Sequence, residues 1–446
     1  MPDDARMRSR YRYFAPLAAA LLSQPARAQT ASAAPPPSAT APLTLTTAES
    51  ARVGLTLERA VERFRRENLK LVAAQYEVSS ARADIIAAGL LPNPRLSLGA
   101  TFHVHGKPDS ADREYSIGLS QSLPLWGRLG ASQDAARLTA NAAERQFAAA
   151  GWQLLGELRQ AYLALQVAGE RHVVLKAGLV DLERVQRVLE ARTAAGANPI
   201  YDRVRLDVER GSLRARVAQA EVEVSQARAE LAASIGGAPV PEELAASDAL
   251  PEPVSDQRDM AALVQRALEH RHEIAATRLE TGAAEARLRA TRRRFIPEPE
   301  LGLSYSRWSG IPGAPPGSVG GALLASASIP LPLFDRGQGT IERQAAQSVA
   351  ARVRQSDLKN ALTRQVERAV RAVQLTSTAY LAYHAEASHN VESVRRIAEL
   401  TYREGRGTIL ELLDAYSSYL RVEEQALDLR GAALAAALDL EQAVGP

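Results

Sequence analysis

The chain has no cysteine among its 446 residues, so no disulfide, no thiolate metal site and no cysteine-borne lipid is open to it. Aromatic side chains make up only 5%, too few for a large aromatic core but compatible with long helices that meet along narrow seams. Charge of one sign is equally scarce. The 54 basic residues are intermixed with 51 acidic ones, which excludes the one-signed patch of a nucleic-acid binder. After the N-terminus no apolar run approaches the roughly 18 residues that mark a transmembrane helix, and proline is absent between Leu125 and Asn198. Catalytic signatures are missing as well: there is no Walker loop, no dinucleotide glycine pattern behind a strand, no HExxH helix and no GxSxG. His103 and His105 stand two apart near the end of a strand, and His270 and His272 two apart in a helical stretch, where that spacing does not bring side chains together. Both pairs read as surface residues and His172 as a packed one, so neither a cofactor nor a resident metal is expected and the chain is not read as an enzyme.

What the sequence does contain is a duplication. LLPNPRLSLGATF and EYSIGLSQSLPLWGR, between Leu90 and Arg128, return roughly two hundred positions later as FIPEPELGLSYSRW and SVGGALLASASIPLPLFDR. Pro92 and Pro94 match Pro297 and Pro299, and Leu123, Pro124, Leu125 and Arg128 match Leu331, Pro332, Leu333 and Arg336. Inside each copy lie two segments of alternating character. Leu96, Leu98, Ala100, Phe102 and Val104 share one face, as do Tyr115, Ile117 and Leu119, then Leu301, Leu303 and Tyr305, then Val319, Leu323, Ala325, Ala327 and Ile329. A period of two means strands with one dry and one wet face. Each has roughly the 9 to 11 residues that a tilted strand needs to cross a bilayer. Four strands cannot close a barrel, and an open edge in lipid leaves N–H and C=O groups without partners. Membrane strands would therefore have to be pooled by several chains; the competing reading is two soluble hairpins packed on helices.

The N-terminus reads as an export signal over residues 1–28: Arg6, Arg8, Arg10 and Arg12, the apolar run Phe14 to Leu22, then a small-x-small site with cleavage between Ala28 and Gln29. An Ala/Pro/Ser/Thr linker over 29–54 follows. Residues 55–235 form the first repeat, with a helix from Leu57 to Gly89, a strand pair over 95–123 and a helical hairpin over 128–235. Its seam of Leu154, Leu158, Ala161, Leu165, Ala168, His172, Leu175, Leu179 and Leu182 steps by four and three. A helix from Arg128 to Ala195 would be about 100 Å long at ~1.5 Å per residue. Gly196 and Pro199 fit the helix stop and restart at the tip. A proline-rich joint over 236–260 leads to the second repeat, 261–446, with a helix starting near Ala262, a strand pair over 300–331 and a hairpin over 337–443. Its long helix runs from about Gly339 to Arg403, with Leu362, Val366, Ala369, Val373, Thr376, Tyr380 and Tyr383 on its seam. It turns at Gly405-Arg406-Gly407 and returns with Leu413, Leu420, Leu427 and Leu434 at heptad spacing. The fold class is mainly α with a small β part.

At this point the sequence resembles the TolC-like outer-membrane efflux proteins over nearly all of its length after the signal. The resemblance rests on LTLERAVER at Leu55 to Arg63, the LLPNP and FIPEP strand starts, SQSLPLWGRLG and SIPLPLFDRGQG at the strand exits, and the turns AAGANPIYDRV and YREGRGTILELLDA. PLPLFDRGQG looks most like the CzcC-type branch that serves heavy-metal efflux. The resemblance implies a homotrimer whose chains give four strands each to one 12-stranded β-barrel in outer-membrane lipid, continued by a periplasmic α-barrel of coiled-coil helices. It further implies a passive duct that works with a periplasmic adaptor and an inner-membrane pump of the resistance-nodulation-division type. Carried over by position, Glu411 and Asp414 become an acidic ring at the periplasmic mouth, Asp202 and Tyr402 a latch that holds it shut, and Gly196, Ala197, Gly405 and Arg406 the tips that meet the adaptor. The family pattern has arginine where this chain has Gly407, with Arg406 beside it. Glu411 and Asp414 also suit the start of a helix as plain acids near its positive end. Two other readings stay open: the same duct with drugs or secreted polypeptides as cargo, and a non-transporting periplasmic coiled-coil spacer.

Overall fold

The computed structural model describes residues 54–102, 113–194, 200–236, 245–254, 259–309 and 318–446. The signal with Ala28 and Gln29, the first tip at Gly196 and Ala197, and His103 and His105 lie outside them. Helices α1 (Leu57–Glu67) and α2 (Leu69–Gly89) lead into β1 (Arg95–Phe102) and β2 (Arg113–Ser122), followed by α3 (Arg128–Ala194) and α4 (Ile200–Ile235). The order then recurs as α5 (Met260–His270), α6 (His272–Arg294), β3 (Glu300–Ser309), β4 (Val319–Ser328) and α7 (Gln338–Tyr383). A π-helical turn (His384–Ser388), α8 (His389–Arg403) and α9 (Ile409–Val444) complete it.

Helical periodicity runs unbroken through Leu57 to Gly89, yet the chain breaks there at Asn68, which is extended at ψ 109°. Asn68 ends α1 and caps α2, its Oδ1 accepting from the Leu71 N–H at 3.0 Å. Its Nδ2 donates to the Ser234 carbonyl near the end of α4 at 2.9 Å. The second set solves the same problem with different chemistry. Buried Arg271 separates α5 from α6 and donates from Nη1 to the Ala443 carbonyl near the end of α9 at 3.2 Å, with its charge met by Glu273 at 2.6 Å. Glu273 is pushed up by burial but pulled down further by the Arg271 bonds, and lies below the usual carboxylate range. In both sets the return helix ends in a glycine that must let the break come close: a Cβ on Gly236 would lie 2.7 Å from Asn68 Cα, and one on Gly445 2.9 Å from Arg271 Cγ.

The 67 residues of α3 extend about 100 Å at ~1.5 Å per residue. In its half nearer the strands α3 packs on α6, and apart from Ile274 the buried residues of both are alanines, among them Ala135, Ala142 and Ala149 at heptad spacing on one and Ala276 and Ala283 on the other. Small side chains let the two backbones approach closely along a straight seam. Farther along, Leu158 and Leu165 of α3 pack with Phe64 of α1 and Leu231 and Ile235 of α4, and Leu263 of α5 with Val366, Val373 and Leu440 makes the matching core of the second set. A third core at the turn end joins the two sets: Leu182 and Leu189 of α3, Leu206 and Leu213 of α4, Tyr402 of α8 and Leu413 and Tyr416 of α9. The second long helix is not continuous; the π turn at His384 adds a residue to one turn and so re-phases the buried face between Tyr380 and Val391.

The four strands form one antiparallel sheet in the order β1-β2-β3-β4. Register puts Leu98, Ile117, Tyr305 and Leu323 in one cross-strand row and Leu96, Leu119, Leu303 and Ala325 in another. This apolar face is open, with Leu98 74% and Leu323 70% exposed. The opposite face carries Gly99, Ser116, Ser306 and Ala322 in one row and Ser97, Gly118, Ser304 and Leu324 in the next. Among the described residues the sheet keeps a bare apolar face and two unpaired edges, which leaves it incomplete as it stands in a single chain.

Candidate functional site

The segment Thr408 to Asp414 starts α9. Thr408 is the N-cap: its Oγ1 accepts from the Glu411 N–H at 3.3 Å, and the Glu411 carboxylate accepts from the Thr408 N–H at 2.9 Å. This capping box satisfies two of the donors left bare at a helix start. Glu411 therefore closes its own helix while staying exposed, and Asp414, one turn on, is exposed beside it; between and behind them Leu412, Leu413, Ala415 and Tyr416 are buried. The two carboxylates share one solvent face.

The turn before α9 is built on the Thr401 carbonyl, which accepts from the N–H groups of Arg406 and Gly407, each at 3.0 Å. Gly405 sits at φ +74°, a left-handed conformation that glycine adopts at no steric cost. The Arg406 side chain is 80% exposed and pairs with Glu404 at 3.3 Å; it points into solvent at the tip and does not join Asp202. Tyr402 is buried beneath the turn, and its hydroxyl donates to Asp202 Oδ2, in the first turn of α4, at 3.2 Å. The structure thus brings together Asp202 and Tyr402 from the two sets and leaves Glu411 and Asp414 on the adjoining exposed face.

Tyr402 is one end of a stripe that motif reading passes over. Glu392, Arg395, Glu399 and Tyr402 fall at three- and four-residue steps along α8, on the side turned toward α3 and α9. Arg395 pairs with Glu392 at 2.8 Å and with Asp181 of α3 at 3.3 Å, and its guanidinium lies over the rings of Tyr416 at 5.6 Å and Tyr419 at 5.0 Å. The Glu392 bond raises Arg395 above its usual pKa against the opposing effect of burial, and the same bond lowers Glu392. Burial, then the Glu399 carboxylate, pushes the Tyr416 phenol up to about 12. Tyr416 donates to Glu399 at 3.4 Å, and Glu399 pairs with Arg403 at 2.6 Å. Arg395 therefore knits three helices together just above the Asp202–Tyr402 contact. The signal for it was present as charged residues at seam spacing in α8.

The segment between the sets is strapped down midway along the helices. The Tyr162 hydroxyl lies 2.9 Å from both the Leu55 carbonyl and Asp248 Oδ2, and the Tyr380 hydroxyl donates to Glu252 at 2.6 Å. Arg430 reaches the same Glu252 at 2.9 Å.

The model of the family described as "Outer membrane efflux protein" matches this chain twice, over residues 60–237 and 263–446. The chain belongs to that family, whose members act at the outer membrane. It is 25% identical over 394 residues to the cobalt-zinc-cadmium resistance protein CzcC of Cupriavidus metallidurans, covering 88% of this chain and 90% of that protein. It is also 25% identical over 415 residues to the pyoverdine export outer membrane protein OpmQ of Pseudomonas aeruginosa, covering 87% and 85%. Among solved structures, one of CusC shares the fold with a TM-score of 0.71 at 20% identity, covering 88% of this chain and 92% of that one. The strands are accordingly the outer-membrane part and the long helices the periplasmic part.

Proposed function

We propose that three copies of this chain pool their strands into a 12-stranded barrel and stand as the passive exit duct of a tripartite efflux system. A periplasmic adaptor and an inner-membrane pump of the resistance-nodulation-division type supply the energy. The observation that carries this reading is the sheet: four strands, one open apolar face and two open edges in a member of an outer-membrane family. In it Glu411 and Asp414 form an acidic ring that concentrates cations at the periplasmic mouth. Asp202 and Tyr402 act as a breakable latch, and Gly196, Ala197, Gly405 and Arg406 are the tips that meet the adaptor. Detergent-extracted protein is expected to run as a heat-modifiable trimer and to pass ion current in planar bilayers. A stable monomer without current would end the proposal.

Heavy-metal cations are the proposed cargo, on the likeness to the cobalt-zinc-cadmium resistance protein. The equal identity to a pyoverdine exporter supports an organic cargo as the second reading. Deleting the gene and comparing sensitivity to zinc, cobalt and cadmium with sensitivity to hydrophobic drugs separates the two.

A further inference from the structure

Each strand pair leaves the sheet through the same device. The Leu125 N–H donates to the Leu123 carbonyl and the Leu333 N–H to the Leu331 carbonyl, both at 2.9 Å, a three-residue turn about Pro124 and Pro332. An exposed aromatic follows at equivalent positions, Trp126 and Phe334, the latter 92% exposed, and two residues later an arginine, Arg128 and Arg336. Apolar tips that continue the lipid face of a membrane sheet end in the interfacial layer, where aromatic rings settle at headgroup depth.

Packed against these exits is the last turn of α6, which carries three exposed arginines in a row, Arg292, Arg293 and Arg294. Arg293 donates to the Gly127 carbonyl at 3.1 Å and so ties the helix end to the first exit, while the Trp126 indole donates to the Pro297 carbonyl just beyond it at 2.8 Å. The guanidinium groups of Arg292, Arg294 and Arg336 take no partner among the described residues. The duplication supplies an internal control: in the register that matches Pro92 with Pro297, the three arginines stand where the first set has Ala87, Ala88 and Gly89. The helix-to-strand turn forms at both places, so the turn itself does not require the charges.

We propose that the arginine end of α6, with the exposed exits beside it, is a seat for anionic phospholipid in the periplasm-facing leaflet of the outer membrane. The guanidinium groups hold the headgroup phosphate, and Phe334 and its neighbouring leucines lie among the acyl chains. The inference rests on the outer-membrane orientation and not on the cargo or the gate. The test is native mass spectrometry of the full-length protein equilibrated in detergent micelles containing phosphatidylglycerol and phosphatidylcholine. The wild type is expected to retain phosphatidylglycerol preferentially. R292A/R293A/R294G, which writes the first set's residues into the second, is expected to weaken that preference by about fivefold for each arginine removed. The R292K/R293K/R294K protein should keep most of it, and Phe334→Ser should lower retention of both lipids alike. No headgroup preference in the wild type, equal preference in the alanine variant, or displacement of the lipid by millimolar inorganic phosphate would each overturn the proposal. Bilayer current is read on the same samples. Its absence from the wild type would count against the duct and leave the headgroup result standing by itself.

Discussion

Three tyrosine hydroxyls sit in places where ionisation is resisted. Tyr162 and Tyr380, pushed up to about 12 first by burial and then by Asp248 and Glu252, hold the strap between the sets, and Tyr416, pushed up to about 12 by burial and then Glu399, ties α9 to α8 under Arg395. Their folded pKa values exceed the ordinary 10.0, so their contribution to stability is whole below pH 10. It drains away as pH rises toward about 12, because the unfolded chain gives up its phenolic protons first. A protein with all three changed to phenylalanine is expected to lose less stability over that window, as read by thermal unfolding at stepped pH. Arg395 gives a second prediction: Arg395→Gln removes the bridges to Glu392 and Asp181 and should raise the conductance of the reconstituted pore, while Arg395→Lys, which keeps the charge, should stay nearer the wild-type value. Arg395 is legible only as one of several charges at seam spacing in α8, because a buried ion pair and a solvated one have the same sequence. Its role depends on Asp181, more than two hundred positions away. Glu411 and Asp414 enter through the family resemblance, by position; the Thr408-x-x-Glu411 spacing separately writes a capping box for Glu411 alone.

Among elements, strands and heptad seams could be read directly because alternation and three-four spacing are local properties. Leu98, Ile117, Tyr305 and Leu323 fall in one row, and Leu158, Leu165, Leu175 and Leu182 are buried. Breaks were harder. The apolar pattern passes through Asn68 without a fault, and what stops the helix is a carbonyl at Ser234 that no local window contains. The π turn at His384 is hidden for a similar reason, since one extra residue shifts a seam without erasing it. Asn68→Ala removes both the cap and the tie to α4, and is expected to cost about 1 to 2 kcal/mol. The loss should show as faster amide exchange in α1 and the first turn of α2, with α6 unaffected.

At the scale of the whole molecule, the acidic pair is tested by Glu411→Gln with Asp414→Asn. Cation preference of the reconstituted pore is expected to fall, while Asn and Gln keep the size of the side chains; unchanged selectivity would remove the ring. The double change also separates the two roles of Glu411, because an amide can still accept the Thr408 N–H and cap the helix.

The duplication that builds the chain is faithful in shape and broken in charge. Aligned from their ends, Ile200 answers Ile409, Asp202 answers Glu411, and Arg205 answers Asp414, yet Ile200 is 63% exposed where Ile409 is 2% exposed. Gathered about a threefold axis, three such chains would present six near-equivalent hairpins to the bilayer. Only every second helix start would bring two negative charges to the aqueous opening. The far end of the conduit would then be hexagonal to a passing ion and the near end triangular, an asymmetry that two diverged halves of a single gene can create without any second kind of subunit.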